Sequence, residues 1–177
     1  MNLAEQLTSG HSRKVTDEII AWIGDSKIRF KKLMDIFMGD DARLAQRAAW
    51  PMSYISVAQP KLITPYLKKL LEYLDDPTIH EAIRRNTMRL LQDINIPEDL
   101  HGEVMNRCFD IIQSVTYKPA TKAFALTTLY NLSKQYPDIK QEIAAIIETS
   151  FPNESKAFQS RARKVMKRMR GDWEPTG

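Results

Sequence analysis

A block of eight residues that returns every 37 or 38 positions constrains this chain more than any other feature. Phe30–Phe37 reads FKKLMDIF, Leu67–Leu74 reads LKKLLEYL, Met105–Ile112 reads MNRCFDII, and Ile143–Ser150 reads IAAIIETS. The blocks start 37, 38 and 38 residues apart, and each has a carboxylate at its sixth position: Asp35, Glu72, Asp110 and Glu148. A second block keeps the same beat from Arg47, Arg85, Ala123 and Arg161. A fixed period of this length marks a repeat array, in which each unit buries its apolar side against the next.

The periodicity inside the blocks is helical. Leu67, Leu70, Leu71 and Leu74 share one face, as do Phe158, Ala162, Val165, Met166 and Met169. Alternating runs of β-branched residues are missing and Gly is scarce at 6 of 177 residues, so the expected fold is all-α. A first helix is expected over 13–23, stopped at Gly24. Four pairs follow: 26–38 with 41–58, 60–74 with 77–94, 97–113 with 119–135, and 137–150 with 153–169. Six prolines mark junctions: Pro60, Pro77, Pro97, Pro119, Pro137 and Pro152. Proline suits a first helical turn, where its missing N–H forfeits no bond. Asp76-Pro77 has the form of an N-cap followed by the first helical residue. Residues 1–12 read as a short frayed leader, 13–170 as one domain and 171–177 as a flexible tail.

Leu62–Ile94 resembles a HEAT repeat: a first helix bent by Pro65, an Asp turn at Asp75-Asp76, and Arg84 or Arg85 near the start of the second helix. Asp40, Asp41 and Arg47 fill those places in the preceding unit. The third unit departs, with Thr116-Tyr117-Lys118-Pro119 at its turn and Ala123 in place of the Arg; the fourth has Pro152-Asn153 and Arg161. Arg47–Trp50 (RAAW) is also similar to a phrase found in short bacterial HEAT-like proteins. The resemblance implies a right-handed α-solenoid of about four helix pairs plus the N-terminal helix. It carries no catalytic residues, because such arrays serve many roles.

Charge is unevenly placed. Residues 1–155 hold 19 Lys and Arg against 20 Asp and Glu, a net of −1, whereas 156–177 hold 7 against 2, a net of +5. The basic balance therefore belongs to the last helix and is weak support for nucleic acid. The lone Cys108 forms no internal disulfide, the first ten residues do not read as a signal peptide, and no apolar run spans a bilayer, so the expected location is cytoplasmic, with no membrane partner. No metal, nucleotide or nucleophile motif is present, and His11, His80 and His101 lie far apart; neither a cofactor nor an enzymatic activity is expected.

The candidate partner-binding residues are cations on second helices. Arg47, Arg85 and Arg161 lie 12 or 13 residues after Asp35, Glu72 and Glu148, a separation that lets them meet across a helix hairpin. One reading is an ion-pair ladder or a set of turn caps; the other puts these guanidinium groups on a concave surface facing a ligand. Arg89 and Lys122 would extend such a surface, and Lys164 and Arg168 would continue it on the last helix. Trp50 beside Pro51 reads as core filler at a kink, and Cys108 as buried filler. The expected function is a non-catalytic scaffold that binds a protein through the second-helix side. The alternative is nucleic acid bound by the basic residues. The resemblance adds one variant of it: some HEAT-like arrays excise alkylated bases, for which Trp50, Asp93 and Arg85 would be the residues to name.

Overall fold

A computed structural model describes residues 1–10 and 12–171 of the chain. The described residues form helices and turns, with no strand among them. The helices gather into two compact units, Met1–Pro97 and Glu98–Gly177, where the sequence reads as one continuous domain.

Unit 1 contains α1 (Leu3–Ser9), α2 (Arg13–Ile23), α3 (Lys27–Phe37), α4 (Ala42–Ala58), α5 (Pro60–Ile63), α6 (Leu67–Asp75) and α7 (Glu81–Leu91). Side-chain caps open most of these helices. Ser12 and Ser26 accept from Val15 N and Arg29 N at 3.3 Å each, and Asp41 accepts from Arg43 N and Leu44 N at 2.9 and 3.0 Å. Gly24 ends α2 at φ +52°, a conformation that carries little penalty without a Cβ. Helix α4 is the centre of the unit and packs on α1, α2, α3, α5 and α7. Its Ala45, Ala48 and Ala49 are buried, and small side chains let neighbouring backbones come close. The expected bend in the first helix of the second pair is real. At Thr64–Tyr66 a 3₁₀ turn containing Pro65 separates α5 from α6. Leu67, Leu70, Leu71 and Leu74 of α6 are each 2% exposed or less, which stabilises by about 2 kcal/mol per side chain.

Two expectations for unit 1 need correction. The leader is not frayed over its described part: α1 is a capped helix with Leu3 and Leu7 buried, and it packs on α4. A seven-residue amphipathic stretch is stable here because a neighbouring helix covers its apolar face. Likewise, Asp76-Pro77 does not open α7. The Asp76 carboxylate accepts from Thr78 N at 2.8 Å and from its hydroxyl at 2.6 Å, closing a local turn. The helix starts four residues later, with His80 Nδ1 accepting from Ala82 N at 3.1 Å.

Unit 2 contains α8 (His101–Gln113), α9 (Pro119–Ser133), α10 (Ile139–Ser150) and α11 (Lys156–Gly171). Helix α9 is the central one, packed on α8, α10 and α11. It is buried almost all round, through Thr121, Ala123, Ala125, Thr128 and Ser133 as well as leucines. That burial explains why the third repeat departs at Ala123: a guanidinium there would sit in the core. Phe37, Leu74 and Ile112, the eighth positions of the first three blocks, are 0–2% exposed, and Ile147, the fifth position of the fourth block, is 3% exposed. The flexible tail expected over 171–177 lies outside the described residues except for Gly171, which closes α11.

Candidate functional site

In unit 1, α4 presents a second apolar face besides the one it buries. Trp50, Ser53, Tyr54, Val57 and Ala58 follow the i, i+3, i+4, i+7, i+8 spacing that lines one side of a helix. Opposite them, α7 supplies Arg89 and Asp93 follows it on the next turn. Together these seven residues line a cleft of about 550 Å³. Trp50 is half-buried rather than core, so the indole forms a wall of the cleft instead of filling a gap at Pro51. Tyr54 and Val57 are 39% and 52% exposed, two of the few large apolar side chains left to solvent. The Arg13 guanidinium lies 4.5 Å from the Tyr54 ring centroid and pairs with Asp17 at 2.8 Å, which fixes the phenol from outside.

The electrostatics of the cleft are simple. Arg89 is exposed and makes no hydrogen bond or ion pair among the described residues. Arg85, one turn earlier on α7, is half-buried and likewise unpaired among them. On the same stretch of α7, the Asn86 Nδ2 amide nitrogen is buried with no partner among the described residues. An aromatic and aliphatic wall with one unpaired guanidinium, one carboxylate and a serine hydroxyl is suited to gripping an apolar side chain and orienting its polar neighbour. It offers no nucleophile–base pair, since none of the described histidines lines it. Trp50 and Asp93 do meet in this cleft, as a base-excising site would require, but the cation they meet is Arg89 and not Arg85.

The other expected cations have different employment. Arg47 Nη1 donates to the carbonyls of Leu7 and Thr8 at 2.8 Å each, which caps the C-terminal end of α1. Arg161 Nη1 donates to Thr127 Oγ1 at 2.5 Å and ties α11 to α9. Lys122 is buried, ion-paired with Glu154, its ammonium 5.3 Å from the Phe158 ring centroid. It cannot reach a partner. The ion-pair ladder is not formed. Asp35 pairs instead with Lys31 at 2.7 Å, while Glu72 and Glu148 are exposed with no partner among the described residues. The capping reading holds for Arg47. Lys164 and Arg168 are exposed on α11, with Arg168 5.9 Å from the Tyr130 ring centroid. They belong to unit 2 and are no part of the cleft. Cys108 is fully buried, and burial pushes its thiol up, so it is inert filler. No group of His, Cys, Asp and Glu among the described residues could hold a metal ion, and no helix among them is long and apolar enough to cross a membrane.

Tyr54 and Val57 are the functional candidates that sequence reasoning missed. The available signal was the width of the apolar perimeter of α4: Trp50, Tyr54 and Val57 recur at helical spacing outside the buried set of Ala45, Ala48, Met52 and Ile55.

A family model described as a HEAT repeat domain matches residues 3–169, nearly the whole chain. The chain belongs to the HEAT repeat family. HEAT repeats are helical scaffolds that generally mediate interactions and are generally non-enzymatic. The match begins at Leu3, so it takes in α1 and the carbonyls that Arg47 caps. No curated protein and no solved structure matches this HEAT repeat chain.

Proposed function

We propose that this HEAT repeat protein is a non-catalytic scaffold that binds another protein at the α4–α7 cleft. The observation that carries the reading is the exposure of Tyr54 and Val57 beside Trp50, with the unpaired Arg89 at the rim. Exposed aromatic side chains next to an arginine are the usual composition of an energetic centre in a protein interface. The fitting partner segment has an apolar anchor for the Trp50–Val57 wall and a carboxylate for Arg89. Nucleic acid is the weaker fit: Arg47, Lys122 and Arg161 are all engaged inside the fold, which leaves few cations together on one side.

Affinity capture from the native host tests the proposal, with wild type compared with Tyr54→Ala, Val57→Asp and Arg89→Glu. Specific proteins should be retained by wild type and lost with all three variants, each of which keeps its helical circular dichroism. They should persist with Lys164→Gln/Arg168→Gln. Retention sensitive to nuclease, or lost only with the α11 variant, would contradict the reading in favour of nucleic acid.

A further inference from the structure

Unit 2 carries a second surface, independent of the α4–α7 cleft. Between α10 and α11 lie two depressions of about 550 and 390 Å³. Both are lined by Glu148, Met166 and Arg170, so they form one groove along the last helix pair. Its floor is apolar: Ala144, Ile147 and Phe151 from the α10 side, Ala162, Met166 and Met169 from α11. Methionine side chains adapt their shape to what they contact, which suits a floor that receives a foreign side chain.

The rim is basic. Arg163, Lys167 and Arg170 stand at i, i+4 and i+7 along α11, and Lys140 stands on α10. None of the four makes an ion pair among the described residues. The Arg163 guanidinium lies 5.1 Å from the Phe151 ring centroid, which holds one cation over the floor. Among the described residues the only carboxylate lining the groove is Glu148, itself unpaired among them. Four cations against one carboxylate around an apolar trough set the sign of what can lie there.

We propose that this groove binds an acidic amphipathic helix of a partner protein. The apolar stripe of such a helix would cover the methionine floor, and its flanking carboxylates would meet the α11 cations. Two and a half turns, roughly 13 Å at 1.5 Å per residue, match the run of lining residues from Ala162 to Arg170 along α11. A second copy of this chain is a poor occupant, because apposing two such grooves sets cations against cations. A nucleic acid strand would satisfy the rim but leave the apolar floor uncovered.

The test uses the full chain and a fluorescein-labelled synthetic peptide of about 18 residues, with leucines at i, i+3, i+4 and i+7 and glutamates elsewhere. Anisotropy should show saturable binding that weakens with salt, and a lysine-for-glutamate version should bind at least about tenfold more weakly. Arg163→Glu/Lys167→Glu and Met166→Asp should each cost at least about tenfold, and Tyr54→Ala should cost nothing. The charge variant lies on exposed positions, so it separates loss of the groove from loss of the fold. Four outcomes would overturn the proposal. The acidic peptide fails to bind, or the lysine version binds equally. A sequence-scrambled acidic peptide or a short single-stranded oligonucleotide binds as tightly, which makes the surface a general polyanion site. Sedimentation shows a dimer broken by the same substitutions, which makes the occupant a second copy. Trp173→Ala raises peptide affinity about tenfold, which makes the occupant the last residues of this chain.

Discussion

Lys122 and Arg47 show how a side chain that looks free in a sequence is committed by its surroundings. The Lys122 side chain is 6% exposed and that of Glu154 14%, so each neutralises a charge the other could not leave unpaired. Lys122→Met should therefore destabilise by about 3–5 kcal/mol, much of it recovered in the double variant with Glu154→Gln; urea titration of the three proteins measures it. Arg85 makes the opposite case. With no bond to Glu72, Arg85→Ala and Glu72→Ala should change stability by no more than about 0.5 kcal/mol each. Their double-mutant cycle should be additive to about the same margin. A coupling above about 1 kcal/mol would restore the ladder that the structure lacks. At Asp76 the Thr78 hydroxyl and amide hold the carboxyl below its ordinary value of 3.8. The stabilising contribution is thus present above that value and lost as the pH falls through the lower folded one. Asp76→Asn should remove this acid-range dependence from the stability profile.

At the scale of elements, α1 depends on one long-range contact. Arg47 donates to two of the four carbonyls that a helix end leaves without intrahelical partners. Arg47→Ala should release α1, with amide exchange rising at residues 3–9 and unchanged in α9 and α11. Unchanged exchange at residues 3–9 would show that Leu3 and Leu7 hold the helix alone. Most of the helix plan was legible in the sequence, because each pair must bury a stripe of the same width at the same period. Arg13–Ile23 was read to the residue and Ala42–Ala58 to within one. What escaped depends on tertiary partners. Helix α1 is too short to announce itself without α4 to cover it. The start of α7 shifted because Asp76 spends its carboxylate on a turn with Thr78, leaving His80 to cap the helix. The identity of the free cations escaped for the same reason: spacing places Arg47, Arg85 and Arg161 alike, and only packing shows that two of them are tied inside the fold.

For the molecule as a whole, the beat of 37–38 residues and the family match over residues 3–169 describe one thing, a HEAT repeat chain of helix pairs. Its two units expose different chemistry: an aromatic cleft beside Arg89 in one, a basic-rimmed apolar groove in the other. Neither contains an assembled catalytic group among its described residues, and each has the composition of a docking surface. The apolar perimeter of α4 is wide enough in the sequence to hint at a second face, but α4 is covered on most of its circumference, and only the full set of neighbours shows that the strip left open is the one with Tyr54 and Val57. The central claim is that this open strip is where a protein partner sits. A photo-reactive amino acid in place of Val57, in cells of the native host, tests it most directly, with the exposed Ile28 of α3 as the control position. The account predicts cross-links to a discrete protein from position 57, lost with Arg89→Glu, and none from position 28. Cross-links to nucleic acid, or the same products from both positions, would contradict it.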